Sequence, residues 1–177
     1  MDYTEEYYKG RPLEQKHLIE TPIWVDYFNP EKVLDVGCGH GMRVIAFNYY
    51  EVDCQGFDFL EAIKTTPHLE IKDKLKEGNI LNIPYQETFD LVIVYDVLEH
   101  LEEEDLDKAL SELKRVCSKH ILFSIPFIGD PNLLLDKTHK IFKSKEWWNY
   151  KLEEYFNIKE TPDNFLYKPQ LLIGEIR

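Results

Sequence analysis

The sequence predicts a doubly wound α/β fold, in which helices cover both faces of one mostly parallel sheet. Short β-branched apolar runs alternate with segments of helical periodicity along the 177 residues. The run over residues 33–36 breaks into a glycine-rich turn, which is typical of the first strand of such a sheet. The run over residues 89–96 is apolar on both faces and therefore predicts a central parallel strand. This length suits one domain with its own core.

The elements are expected in the following order. Apolar positions between residues 13 and 28 follow helical spacing, and Pro22 predicts a kink there or two shorter helices. Further helices are predicted over residues 42–50, 59–73, 102–116 and 144–155. A break near Thr66-Pro67 is an alternative for the second of these, and Ser144 is the predicted N-cap of the last. Besides 33–36 and 89–96, strands are predicted over residues 52–58, 75–80, 121–126, 156–160 and 171–176.

The glycine turn is the strongest functional signal. Gly37, Gly39 and Gly41 remove every Cβ where the chain turns, and the helix that follows directs its first N–H groups at a ligand. Met42 stands where the dinucleotide fingerprint needs its third glycine, which disfavours a dehydrogenase. Asp35 would repel a pyrophosphate but suits an ammonium group. S-adenosylmethionine, which carries a sulfonium and an amine but no phosphate, is such a ligand.

Residues 33–41 resemble the first motif of the class I S-adenosylmethionine-dependent methyltransferases, and the resemblance extends over residues 30–177. It is strongest to small-molecule methyltransferases of the type 11 and type 12 families. It implies a single Rossmann-like, doubly wound sheet of seven strands, mostly parallel with an antiparallel final strand. Residues 1–29 would then be an N-terminal helical or lid segment. Tyr3, Tyr7 and Tyr8 are interpreted either as part of that lid or as a separate packing cluster.

The resemblance also assigns cofactor contacts. Asp58 lies 21 residues after Gly37, close to the ~20 expected for an acid that binds ribose hydroxyls; the alternative is an ordinary N-cap. Asn79 would accept a hydrogen bond from the adenine amine, and Ile80 would pack on the adenine face. The predicted cofactor-binding residues are Asp35, Gly37, Cys38, Gly39, Gly41, Asp58, Phe59, Asn79, Ile80, Tyr95, Asp96 and Val97.

Two segments are predicted to meet the methyl acceptor. Residues 97–101 resemble the family's fourth motif, which lines the pocket between cofactor and substrate. Residues 136–142 resemble an Asp-x-Thr-His-x-x-x-Phe segment of small-molecule methyltransferases. His139 is therefore a candidate general base, with His100 and Asp136 as further catalytic candidates. Each histidine is also open to a purely structural role, hydrogen-bonded within the protein.

Composition limits the remaining alternatives. A net charge of −12 makes broad nucleic-acid binding unfavourable, yet the lysines at 137, 140, 143, 145 and 151 leave an RNA or protein methyltransferase as an alternative. A non-catalytic methyltransferase-fold subunit is a third interpretation. No membrane span or signal peptide is recognised, and three cysteines at no metal-ligand spacing predict no metal site. A cytoplasmic protein is expected, and the oligomeric state stays open.

Overall fold

A computed structural model of the protein describes residues 16–65, 69–134, 136–166 and 168–177. Within these ranges one sheet contains all seven strands. They are β1 (Lys32–Val36), β2 (Asp53–Asp58), β3 (Leu75–Glu77), β4 (Phe89–Tyr95), β5 (Cys117–Ser124), β6 (Asn157–Glu160) and β7 (Leu171–Glu175). The helices are α1 (Lys16–Phe28), α2 (Met42–Tyr49), α3 (Leu60–Thr65), α4 (Leu106–Val116) and α5 (Lys145–Glu153).

The strands follow the order β3-β2-β1-β4-β5-β7-β6. The first five are mutually parallel, whereas β7 pairs antiparallel with both β5 and β6. The predicted fold is therefore confirmed, including the antiparallel final strand. The strand order reverses direction between β1 and β4. Beyond the carboxyl ends of strands at such a switch point, a doubly wound sheet forms its ligand crevice.

Each face of the sheet has its own core. Along β4, Val92 belongs to one core and the next residue, Ile93, to the other, and both are fully buried. One core includes residues of α4 and α5, such as Leu113 and Trp148. The other includes Trp24 of α1 and residues of α2. This two-sided burial explains why β4 reads as a continuous apolar run in the sequence.

Several boundaries differ from the sequence predictions. The helix α1 runs through Pro22 as one element rather than two. The predicted helix over 59–73 is replaced by α3 and a separate 3₁₀ turn at Leu69–Lys74. The strand β3 is shorter than predicted, and β5 begins four residues earlier because α4 passes directly into it.

The acidic run at 102–105 lies ahead of α4 in a 3₁₀ turn rather than in the helix itself. Tyr3, Tyr7 and Tyr8 lie outside the described residues, so the predicted lid over residues 1–29 stays a prediction. None of the described helices has the length and apolar character needed to cross a bilayer.

Candidate active site

A cleft of about 400 Å³ opens at the carboxyl ends of β1, β2 and β4. All the predicted cofactor-binding residues except Gly41 line it, as does one predicted catalytic residue, His100. Gly41, Asp136 and His139 lie outside its lining. The topology brings these residues together because parallel strands end at the same edge of the sheet.

The three glycines of the turn all have positive φ (68°, 53° and 81° in chain order), but their surroundings differ. A Cβ on Gly37 would lie 2.6 Å from Val97 Cγ2, and one on Gly41 would collide with Ile71. Gly39 has nothing within 4 Å of such a Cβ. Gly37 and Gly41 are thus needed for close packing, while Gly39 leaves open space in the cleft. The expected ligand contact of Gly41 stays a prediction, beside this packing role.

Asp58 ties the end of β2 to the glycine turn. Its Oδ2 accepts the Gly39 N–H at 2.7 Å, and its Oδ1 accepts the Phe59 N–H at 2.6 Å. Through these two bonds the carboxylate holds the end of β2 to the glycine turn and to the residue that precedes α3. Asp58 lines the cleft, and a carboxylate can accept more than two hydrogen bonds.

A buried charge network fixes α1 against the glycine turn. Arg43 of α2 donates to Asp35 Oδ1 at 3.1 Å and to His17 Nδ1 at 2.9 Å, and its Nη2 lies 3.8 Å from Glu20 Oε2. Its guanidinium also lies 4.5 Å from the ring centroid of Tyr95. One oxygen of Asp35 is therefore taken by an internal partner. The other, Oδ2, is buried without a hydrogen-bond partner among the described residues.

The network shifts the titration of its members. Burial raises the pKa of Asp35 and of Glu20, although Arg43 opposes both shifts. Burial, helped by Arg43, lowers the pKa of His17 to about 2. A neutral His17 can accept the Arg43 N–H, whereas a protonated one would place two cations together. Arg43 was not predicted from the sequence, because a single charged residue in a mostly apolar helix gives no indication of its partners.

At the predicted adenine end, Asn79 already has a structural bond. Its Oδ1 accepts the Leu81 N–H at 2.9 Å, closing a tight turn. One lone pair of this oxygen and the side-chain NH₂ group remain for a ligand. Ile80 is buried and Phe59 is exposed, and both line the same part of the cleft.

The opposite end of the cleft, beyond β4, is rich in carboxylates. Asp96 has a positive φ of 53° and accepts the Ser124 hydroxyl at 2.7 Å through Oδ1. Glu102 and Asp105 line this end together with Lys140, whose Nζ lies 2.8 Å from Glu102 Oε1. The positive charge there is therefore already paired with an acid.

The family described as "Methyltransferase domain" matches residues 34–125, which include the glycine turn, Asp58 and Asp96. The chain belongs to this family. An uncharacterised methyltransferase of Schizosaccharomyces pombe is 33% identical over 107 residues. That match covers 49% of this chain and 36% of the relative, so the matched part spans about a third of the relative's length.

Two solved structures show the same fold. A SAM-dependent methyltransferase from Archaeoglobus fulgidus superimposes with a TM-score of 0.70 at 20% identity, covering 97% of both chains. CalS10, an amino pentose methyltransferase from Micromonospora echinaspora solved with SAM bound, gives a TM-score of 0.69 at 12% identity. That alignment covers 97% of this chain and 94% of CalS10. The methyltransferase thus has the fold of the class I S-adenosylmethionine-dependent enzymes.

The cleft of this methyltransferase fits S-adenosylmethionine, the cofactor that its superfamily uses. The open side of Gly39 admits a ligand against the main chain, and the Asp58 carboxylate beside it can accept hydroxyl hydrogen bonds. Asp35 Oδ2 adds a buried acceptor without a hydrogen-bond partner among the described residues. Three independent features of the protein therefore match a ligand with a ribose and an ammonium group.

Of the predicted catalytic residues, one lines the cleft and the other two lie behind it. His100 faces the cleft, and its Nδ1 lies 2.9 Å from the hydroxyl oxygen of Thr138, which donates to Asp136 Oδ1 at 2.5 Å. His139 stacks edge-on against His100 with ring centroids 4.7 Å apart. His139 and Asp136 do not line the cleft, and their catalytic roles stay predictions.

Glu99 is a further residue of this site for which the sequence predicted no role. It lies on the 3₁₀ turn Leu98–His100 and is fully buried, facing both histidines. Burial raises the pKa of its carboxyl well above the usual range, and the nearby Asp96 and Asp136 reinforce that shift. Its main-chain carbonyl accepts the N–H groups of Lys140 and Ile141, which holds the 136–141 loop against this turn.

Proposed function

We propose that the methyltransferase uses S-adenosylmethionine to methylate a small molecule that carries a hydroxyl or amine group. The observation that carries the proposal is the open side of Gly39 next to the Asp58 carboxylate, at one end of a cleft whose other end is lined by acids and His100. Cofactor and acceptor would then share one crevice, as methyl transfer requires.

Each part of the cofactor has a proposed partner. Asp58 would accept the ribose hydroxyls, and Asn79 and Ile80 would hold the adenine. The glycine turn would pass under the amino-acid tail, whose ammonium suits Asp35 Oδ2. Lys16 also lines the cleft, with its Nζ 4.8 Å from the centroid of the Tyr95 ring, and would bring a positive charge toward the cofactor's carboxylate.

The chemistry needs alignment above all. The bound cofactor supplies an electrophilic methyl group on sulfur, and the acceptor must approach it in line. Residues at the ends of β1 and β4 are held by packing, as Gly37 against Val97 shows. Rigid placement of two reactants can supply several kcal/mol of rate enhancement.

The charges at the acceptor end favour a small polar molecule over a nucleic acid. Asp96, Glu102 and Asp105 line this end and would repel phosphates. Four of the five lysines that suggested an RNA substrate are paired with acids. The pairs are Lys140–Glu102, Lys143–Glu103, Lys145–Glu160 and Lys151–Asp107. A non-catalytic role is disfavoured by the open glycine turn and the Asp58 carboxylate in the cleft.

Calorimetry tests cofactor binding. We expect Asp58→Ala to weaken S-adenosylmethionine binding by about 1.5–3 kcal/mol, the range for hydrogen bonds to a charged group. The control is Asp53→Ala, at the other end of the same strand, where the side chain pairs with Lys74 at 2.9 Å. Equal affinity in the wild type and both variants would remove Asp58 from the site.

The acceptor is tested by following S-adenosylhomocysteine release with three panels: hydroxylated small molecules, small amines, and short RNAs. We expect turnover with a member of the first two panels. Turnover with RNA alone, together with salt-sensitive retention on RNA, would replace the small-molecule proposal. Cofactor binding without turnover on any of the three panels would favour the non-catalytic interpretation.

A further inference from the structure

A buried carboxylate faces two histidines beside the acceptor end of the cleft. Neither Oε1 nor Oε2 of Glu99 has a hydrogen-bond partner within the described part of the chain. Oε1 lies 4.0 Å from His100 Nε2 and 3.9 Å from His139 Nε2, both too long for hydrogen bonds. Proteins retain a fully buried carboxylate when it is paired or when it coordinates a metal ion.

The tautomer of His139 is fixed by its other ring nitrogen. Nδ1 lies 2.8 Å from the carbonyl oxygen of Leu133. A carbonyl can only accept a hydrogen bond, so the proton is on Nδ1 and the lone pair is on Nε2. That lone pair is on the atom nearest Glu99. A ring N–H donated to a backbone carbonyl is the usual outer support of a metal-binding histidine.

His100 reaches the same state through Thr138. The Asp136 carboxylate can only accept, so its Oδ1 accepts a hydrogen bond from the Thr138 hydroxyl at 2.5 Å. The Thr138 oxygen is then left to accept from His100 Nδ1 at 2.9 Å. This places the proton of His100 on Nδ1 and its lone pair on Nε2. Asp136, predicted from the sequence as catalytic, thus acts as a positioning residue for His100 through the hydroxyl group of Thr138.

We propose that Glu99, His100 and His139 bind one first-row divalent cation. Their ligand atoms all lie within 4.8 Å of one another. Two imidazole nitrogens and one carboxylate oxygen suit Zn²⁺, whose tetrahedral bonds of about 2.1 Å place ligands about 3.4 Å apart. To bind the ion, the carboxylate-to-histidine distances need to shorten by about 0.5 Å, and the longest separation in the cluster, up to 4.8 Å, by about 1.4 Å. The cysteine spacing that predicted no metal site from the sequence does not bear on this cluster.

The ion would lie against the wall of the cleft, because His100 lines it. Three protein ligands leave a fourth position for water or an acceptor oxygen, as in catalytic rather than structural zinc sites. Binding there would lower the pKa of an acceptor hydroxyl. Its proton would pass to solvent, the oxygen would form the new bond to the methyl carbon, and the sulfur–methyl bond would break to give a thioether. This role rests on the proposed function, whereas the binding site does not.

The test uses full-length protein stripped with a chelator and titrated with ZnCl₂ by calorimetry, with zinc content measured after gel filtration. The variants are Glu99→Gln and His139→Gln. The matched control is Glu103→Gln, which removes a nearby exposed charge that pairs with Lys143 at 2.9 Å. We expect one zinc per chain in the wild type and the control, and at least tenfold weaker binding in both variants.

Thermal unfolding supplies a second readout. Without metal, Glu99→Gln is expected to unfold at about the same temperature as the wild type, because Gln has the same shape as the buried, neutral carboxyl group. Zinc is expected to raise the unfolding temperature of the wild type and not that of Glu99→Gln. Substoichiometric zinc in the wild type, or equal zinc affinity in the wild type and both variants, would overturn the proposal.

Cofactor titrations on the same preparations separate the two proposals. Zinc binding without S-adenosylmethionine binding would overturn the proposed function and leave the metal site standing. S-adenosylmethionine binding without stoichiometric zinc would do the reverse. A zinc-bound protein whose turnover does not change when zinc is removed would confine the ion to a structural role.

Discussion

The buried carboxyl groups at the two ends of the cleft differ in their partners. At the glycine turn, Asp35 and Glu20 share Arg43, and Asp58 accepts two backbone N–H groups. Beyond β4, the Glu99 carboxyl is more deeply buried and has no hydrogen-bond partner in the described chain. The first end is held together by the protein's own cations and amides. The second has the ligand chemistry of a metal site, so each end should respond to a different set of changes.

The largest effect is expected at the charge network. Arg43→Met would leave Asp35 and Glu20 buried without a cation, which should lower the free energy of unfolding by about 3–5 kcal/mol. Lys74→Met breaks the exposed pair with Asp53 and should cost at most about 1 kcal/mol. Urea denaturation measures both. Similar small losses in the two variants would show that the network is not what holds the glycine-turn end.

The next largest effect is expected at Gly39, where a control variant distinguishes the filling of open space in the cleft from backbone strain. Gly39→Val would fill the cleft beside Asp58, so S-adenosylmethionine affinity should fall by at least about 100-fold, or ~2.7 kcal/mol. Gly129→Val is the matched control, because Gly129 also has positive φ and nothing within 4 Å of an added Cβ, but lies outside the cleft lining. Calorimetry on folded variants decides. Normal binding by Gly39→Val would contradict the assignment of this turn.

A smaller change should affect only the second end. Thr138→Val removes the hydroxyl that links His100 to Asp136, and zinc affinity should fall by about 10–100-fold, as for other outer partners of metal ligands. Affinity for S-adenosylmethionine should stay within about twofold. Thr138→Ser, which keeps the hydroxyl, should restore zinc binding. If Thr138→Val altered cofactor affinity instead, the two ends would not be independent.

The smallest effect is a loss of stability in acid. The pKa of His17 is lowered to about 2 in the folded protein, so below its unfolded value of about 6.5 the unfolded chain binds the extra proton. Stability is therefore fully present above pH 6.5 and should fall by about 1–2 kcal/mol between pH 6.5 and 5. His17→Gln keeps an acceptor for Arg43 without titrating. Denaturation curves at both pH values should show that this variant loses less stability.

The sequence predicted what depends on local pattern. The apolar run of β4, the glycine turn after β1 and the Ser144 cap of α5 all appear where expected, and Ser144 Oγ accepts the Trp147 N–H at 3.3 Å. Asp58 was found through its distance from Gly37, since strand, helix and strand together fix that spacing.

The sequence could not predict contacts between distant segments. Arg43 meets Glu20 and His17 only because α1 packs on α2, and no periodicity encodes that pairing. His139 joins Glu99 and His100 because the loop after β5 folds back on the turn after β4, about 40 residues earlier. The contacts of Asp136 with Thr138 and of Gly41 with Ile71 could not be predicted for the same reason: both residues were assigned by motif position, whereas their contacts are set by the fold.

A crystal structure with S-adenosylhomocysteine bound tests the central claim most directly. The ribose hydroxyls should lie within hydrogen-bond distance of the Asp58 carboxylate, and the amino-acid tail should pass over Gly39. The sulfur should face the end lined by Asp96 and His100. A ligand bound elsewhere, or bound in this cleft without contacting Asp58, would contradict the account.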